Sequence, residues 1–208
     1  MSAAFEKLVQ GMLEQGYGQS SGLLTEETLM GLRKRIDELI YKDELRAARV
    51  GPLSDEHHIP SIRSDEIYWI DPHSSCQSVS VFLHMMEELA QYLTQTCFIS
   101  LNRSEFHFAR YQPGSLYQRH LDGFRGGQAR QFSIILYLNH DWGDEDGGEL
   151  VLYLPSDHGE RAVKVQPRWG QLILFESHRL EHEVLATHRD RYSLTGWLRY
   201  DDLSLISS

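Results

Sequence analysis

Beyond Cys97 the chain is written as short segments rich in Phe, Tyr, Ile, Leu and Val, each closed by residues that break regular structure. The segments are Glu105 to Tyr111, Tyr117 to Asp122, Phe132 to Asn139, Glu149 to Leu154, Arg161 to Val165, Gln171 to Phe175, His182 to Leu185, and Arg191 to Tyr200. Between them stand Pro113-Gly114, Gly126-Gly127, Gly147-Gly148 and Pro155-Ser156, which are turn chemistry. No connection carries a crossover helix of the kind parallel strands need, so the spacing predicts an antiparallel sandwich or jelly roll.

The first third reads differently. Phe5, Leu8, Val9 and Met12 recur at helical spacing, as do Leu29, Leu32, Ile36, Leu39 and Ile40 behind a cap at Thr25. Gly16 to Gly22 between them has room for a brief strand or turn. From Arg49 to Glu66 the chain turns polar and is broken by Gly51, Pro52 and Pro60, which predicts a long loop; a lid and a solvated connector both fit it. Ile67 to Ile70 reads as a short strand. Val79, Phe82, Met86, Leu89 and Leu93 mark one helix face, with Met85 and Met86 as core filler and His84 as a surface group. The fold class is therefore mostly β with flanking helices. A length of 208 residues suits one domain over 1–208, with 1–100 as helical support and loop and 101–202 as the β core.

The formal charge of −10 works against a nucleic-acid or anionic-membrane partner. Cys76 and Cys97 make no disulfide framework or paired metal motif, and no apolar run reaches the roughly 18 residues of a membrane span. These features predict a cytoplasmic protein, acting as a monomer, with no nucleic acid and no membrane.

His120 and Asp122 lie two residues apart, a spacing that turns both side chains to one face of a strand. His182, at the start of a late strand, supplies a third ligand. Two histidines and a carboxylate on one side of a metal match non-haem Fe(II) oxygenases, with three-ligand zinc as the competing reading. Alternation in the last strand places Arg191, Ser193, Thr195 and Trp197 on one face and Tyr192, Leu194 and Leu198 on the other. An arginine facing an apolar interior calls for an anion, and its planar fork suits a carboxylate. Tyr137, sharing a face with Ser133 and Ile135, is placed to reach the same anion. A surface pair of Arg191 with Glu183 or Asp190 is the plainer alternative. His57, His58, His73, His107, His140, His158, His178 and His188 lack a ligand partner at suggestive spacing and read as surface or hydrogen-bonded groups.

The runs Ala109 to Gly114, Tyr117 to Asp122, Leu136 to Asn139, Asp141-Trp142, Gly147 to Leu150, Pro167 to Phe175, His182 to Val184 and Arg191 to Trp197 resemble the Fe(II)- and 2-oxoglutarate-dependent oxygenases. With Ile62 to Ile70 added, the sequence is most similar to prolyl 4-hydroxylases of the type that modifies hypoxia-inducible factor. The similarity runs over about residues 15 to 200, in order. It implies a double-stranded β-helix, the cupin-like jelly-roll core. His120, Asp122 and His182 take the positions of the iron ligands. Arg191 takes that of the salt bridge to 2-oxoglutarate, with Tyr137 hydrogen-bonding it. Tyr111, Leu150, Thr195 and Trp197 fall at pocket-lining positions, Arg130 and Trp69 at substrate-facing ones, and Arg49 to Glu66 at a mobile loop that closes over substrate. The Tyr111 to Tyr117 loop is shorter than in the animal enzymes, with one extra residue before Pro113. No zinc-finger module is expected, which aligns the chain with compact bacterial members.

The resemblance implies an enzyme that uses Fe(2+), 2-oxoglutarate and O2, supported by ascorbate. It would hydroxylate an exposed proline of a protein substrate and release succinate and CO2. Elongation factor Tu is a first candidate substrate, and oxygen sensing a candidate role. The same chemistry on another side chain or a small molecule, and a non-catalytic 2-oxoglutarate or oxygen sensor, are the rival readings. A zinc hydrolase would leave Arg191 without a purpose.

Overall fold

The computed structural model describes residues 2–49, 59–122, 130–157 and 159–201. Helix α1 (Ser2–Gln15) leads into strand β1 (Tyr17–Ser20), and helix α2 (Glu26–Tyr41) into the two-residue β2 (Arg46–Ala47). Strand β3 (Glu66–Trp69) precedes helix α3 (Gln77–Cys97). The β core follows as β4 (Arg103–Tyr111), β5 (Tyr117–His120), β6 (Arg130–Tyr137), β7 (Leu150–Ser156), β8 (Gly159–Val165), β9 (Leu172–Glu176), β10 (Glu181–Val184) and β11 (Arg191–Arg199). Thr25 caps α2 as its position predicts: its hydroxyl oxygen accepts from the Thr28 amide at 3.3 Å, and Glu26 and Glu27 sit where the helix dipole favours anions.

The strands form two antiparallel sheets, one in the order β1-β9-β6-β11-β4-β3-β2 and one in the order β5-β10-β7-β8. This is the double-stranded β-helix expected. Gly16 to Gly22 holds more than a turn, because Tyr17–Ser20 pairs along β9 and extends the large sheet. Of the long polar loop, residues 50–58 lie outside the described residues. Residues 59–65 are pinned to the core: the Ser64 amide donates to Leu116 O, the Gln118 amide to Ile62 O, and Arg63 bridges Tyr117.

Alternation gives the large sheet two unlike faces. Phe106 and Phe108 of β4, Phe132, Ile134 and Leu136 of β6, Leu172 and Leu174 of β9, and Tyr192, Leu194 and Leu198 of β11 pack against the helices. The intervening residues turn the other way, where Ala109, Tyr111, Ile135, Tyr137, Ile173 and Phe175 meet Leu150, Leu152 and Val184 of the small sheet. The functional side chains project into this second space. His84 is exposed on α3 while Met85 and Met86 are buried, as the helical spacing indicates.

At Gly196 β11 lies close on β4. A Cβ there would stand 2.1 Å from the Glu105 carbonyl oxygen and 2.8 Å from Phe106 Cα, contacts that only backbone movement relieves. Gly143, by contrast, has no neighbour nearer than 3.9 Å. Gly196→Ala should therefore destabilise by about 2–3 kcal/mol, lowering Tm by roughly 5–10 °C, while Gly143→Ala stays near wild type in the same thermal melts.

Candidate metal centre and anion pocket

Sixty residues of sequence separate Asp122 from His182, but β5 and β10 are neighbours, and His182 is the register partner of His120. The ligand atoms of His120, Asp122 and His182 lie within 4.8 Å of one another. His120 Nε2 is 3.5 Å from Asp122 Oδ1, and His182 Nε2 is 3.5 Å from Asp122 Oδ2. Each imidazole is oriented by a carbonyl two residues back on its own chain: His120 Nδ1 lies 2.7 Å from Gln118 O and His182 Nδ1 3.1 Å from Leu180 O. A carbonyl only accepts, so Nδ1 carries the proton and Nε2 keeps its lone pair for the centre.

Asp122 is held from behind. Ser133 Oγ donates to Asp122 Oδ2 at 2.7 Å, which leaves Ser177 Oγ, 2.8 Å away, as donor to Ser133. Burial opposes its charge, but His182, His120 and the Ser133 hydroxyl outweigh burial and hold its carboxyl well below the usual range. Burial brings His182 down to about 4; Asp122 resists that shift and His120 adds to it. At neutral pH the cluster thus offers one anionic oxygen and neutral imidazole nitrogen, the state in which these groups bind a metal.

His120 is also braced by stacking. Its ring lies 3.6 Å from that of Tyr117, nearly parallel, and the Arg63 guanidinium sits 4.7 Å from the centre of the Tyr117 ring. Arg63 is fixed in turn by a bidentate pair with buried Asp65, at 2.6 and 2.9 Å.

Successive rows of the large sheet lead away from this cluster. Ser133 pairs with Trp197, Ile135 with Thr195, and Tyr137 with Ser193; across β4, Arg191 pairs with Tyr111. Arg191 thus stands at the opposite end of the face from the Ser133 row that holds Asp122. It is 1% exposed, and its Nε donates to Gly148 O at 2.8 Å. Gly148 has φ +66°, and a Cβ there would come within 3.0 Å of Arg191 Cδ, so the close approach requires glycine.

Arg191 Nη2 and Tyr137 Oη have no hydrogen-bond partner among the described residues. The rings of Tyr111 and Tyr137 flank the guanidinium at 4.9 and 5.1 Å. Neither surface partner engages it: Asp190 pairs with Arg110 at 2.9 Å and accepts from the Tyr192 hydroxyl, while Glu183 accepts from Tyr153. A buried, uncompensated guanidinium costs several kcal/mol, of order 3–5, and that deficit is what a bound carboxylate removes. Burial, partly offset by Arg191, pushes the Tyr137 phenol up to about 12, so its hydroxyl remains a donor. A donor pair at one end and a facial two-histidine, one-carboxylate cluster at the other fit a dicarboxylate cosubstrate and Fe(II) together.

One pocket joins these two ends. Tyr111, Leu150, Thr195 and Trp197 line it. Arg130 and Trp69 do not line it but both touch Trp197, which does: the Arg130 guanidinium lies 3.5 Å over the Trp197 ring and pairs with Glu105 at 2.7 Å, and the Trp69 ring, 46% exposed, is 6.2 Å from that of Trp197. His107 departs from its expected surface or hydrogen-bonded role. It is 2% exposed, lines the pocket, and its Nδ1 has no partner among the described residues. Its strand alternates regularly, which places it with Ala109 and Tyr111, but a lone histidine in such a strand carries no sign of which face is polar. Ser133, Ser177 and the Arg63-Asp65 pair were equally silent in the sequence as supports of the site.

Comparison with known proteins agrees with this arrangement. The sequence profile of the 2OG-Fe(II) oxygenase superfamily matches residues 106–199. A prolyl-4-hydroxylase of Pseudomonas putida superposes with a TM-score of 0.85 at 34% identity, covering 95% of this chain and 100% of that one. A prolyl hydroxylase from Trichoplax adhaerens, solved in complex with a hypoxia inducible factor peptide, shares the fold with a TM-score of 0.85 at 23% identity, covering 98% and 92% of the two chains. Among sequences, the hypoxia-inducible factor prolyl hydroxylase of Caenorhabditis elegans is 27% identical over 203 residues, which is 92% of this chain but 28% of that protein.

The depressed pKa of His182 links the cluster to stability. Between about pH 6.5 and 4 the unfolded chain binds a proton that folded His182 refuses, so its contribution is complete above that window and is lost as pH falls through it. Thermal melts of metal-free protein should show Tm dropping across this range, and dropping less in His182→Gln.

Proposed function

Because the chain belongs to the 2OG-Fe(II) oxygenase superfamily, we propose that it hydroxylates prolyl residues of a protein substrate. The observation that carries this reading is the pairing, in one pocket, of the His120, Asp122 and His182 cluster with the unpartnered Arg191 and Tyr137 donors. The matched prolyl-4-hydroxylase, aligned over its full length, favours proline as the target. A net charge of −10 favours a protein over a nucleic acid as partner. Among the described residues no helix is long and apolar enough to cross a membrane, and Cys76 and Cys97 are free thiols.

In this reading His120, Asp122 and His182 hold Fe(II) on one side and leave the other side open to ligands. Bound there with 2-oxoglutarate and O2, the metal supplies the oxidising power that inserts oxygen into a C–H bond, with succinate and CO2 as coproducts. Arg191 grips the distal carboxylate of the cosubstrate through the guanidinium edge that has no protein partner, and Tyr137 donates to the same group. Tyr111, Leu150 and Thr195 wall the cosubstrate and keep water out. Ser133 and Ser177 fix the Asp122 carboxylate so that the ligand set needs little reordering. Trp69, Trp197 and Arg130 form the edge where the proline enters.

The deciding experiment incubates the protein with iron, ascorbate, 2-oxoglutarate and proline-containing proteins, elongation factor Tu first, and maps mass gains of one oxygen. A gain on proline supports the reading; a gain confined to another residue type overturns it. Succinate release above a metal-free control separates it from a non-catalytic sensor. Arg191→Ala should raise the apparent KM for 2-oxoglutarate by about 100-fold or more, because removing one partner of a buried charge pair costs about 3–5 kcal/mol, with a smaller change in metal affinity. An unchanged KM would remove the anion assignment.

A further inference from the structure

Six buried side-chain atoms lack a hydrogen-bond partner among the described residues; Arg110 Nε and Gln171 Oε1 lie apart, but the other four gather at one place. Arg191 Nη2, His107 Nδ1 and Trp197 Nε1 belong to side chains that line the one pocket, and Tyr137 Oη stands beside Arg191. Arg191 and Tyr137 are accounted for by the cosubstrate at one end. His107 and Trp197 form a second pair at the other, where their rings lie 5.5 Å apart. Trp197 shares the Ser133 row that holds Asp122, and His107 sits in the adjacent row, opposite Thr195 on one side and Trp69 on the other. The pair therefore flanks the metal cluster on the side of the exposed rim.

Both atoms can be donors, and one can be nothing else. The Trp197 indole has a single N–H and no acceptor. Burial, with Arg63 and Arg130 adding to it and Asp122 opposing, holds His107 well below its ordinary pKa, so the ring is neutral and places one proton on either nitrogen. A proline in a peptide chain has no N–H, so the polar groups flanking its ring are carbonyl oxygens, each with two lone pairs. Two unpartnered N–H groups on neighbouring aromatic rings match that chemistry: a carbonyl oxygen next to an apolar ring.

We infer that His107 is a substrate-binding, specificity-determining residue, which with Trp197 donates to a main-chain carbonyl adjoining the target proline. This rests on the prolyl reading above. Trp69 lies over the pair, its ring tilted against that of His107 at 4.9 Å and 6.2 Å from that of Trp197.

The test uses the full chain labelled with 15N-histidine and 15N-tryptophan and loaded with zinc, which is redox-inert, and 2-oxoglutarate. The probe is the capped pentapeptide Ac-Ala-Ala-Pro-Ala-Ala-NH2, with an all-alanine peptide beside it. The proline peptide should shift the His107 Nδ1 and Trp197 Nε1 resonances. Its Kd should weaken about 10-fold in His107→Leu but within about 3-fold in His107→Gln, which retains a donor. Binding that leaves both resonances unmoved overturns the inference while the prolyl reading stands. So does a His107→Leu protein that binds as wild type, or a His107→Gln protein as weak as His107→Leu. Equal binding of the alanine peptide instead strikes the prolyl reading, and this inference with it.

Discussion

One layer of backbone keeps two incompatible environments apart. The strands β4, β6, β9 and β11 send every second side chain into the helices and every other one into the pocket, so phenylalanine and leucine alternate with histidine, serine, tyrosine and arginine. A slip of one residue in any of these pairings would turn Arg191 into a hydrophobic core and Leu194 into the site. Register is therefore the quantity on which both folding and chemistry depend. The closeness of β11 to β4 at Gly196, where there is no room for a Cβ, shows how firmly it is set.

The same alternation explains what could be read without a structure. Arg191, Ser193, Thr195 and Trp197 were recognisable as one face because their strand is long and its other face is plainly apolar. His120 and Asp122 were recognisable because both ligands lie within one local segment. His182 needed the strand pairing to become their neighbour, and resemblance supplied what spacing alone left open. The helices were legible from periodicity, down to the Thr25 cap.

What stayed hidden has a common character. Ser133 and Ser177 act on Asp122 across strands, and serine in an alternating strand has no distinguishing signal. Arg63 and Asp65 look like a routine pair of charges in a polar stretch until Tyr117 is found beneath the guanidinium and His120 beneath Tyr117. His107 resembled any other histidine. Its role lies in the partner it lacks, and an unmet hydrogen bond is a property of packing, which sequence does not record. The short β1 and β2 gain strand character from the long neighbours they join, not from their own composition.

The pairing of His120 with His182 bears on more than ligand geometry. Strand β5 is four residues long and lies at the edge of the small sheet, with β10 as its single neighbour in that sheet. Two residues held across that pairing, and a third at the start of the next connection, are the anchor points of a clasp. The same ligands that set up the chemistry also fasten the sheet edge, so at this edge function supplies a reinforcement of the fold.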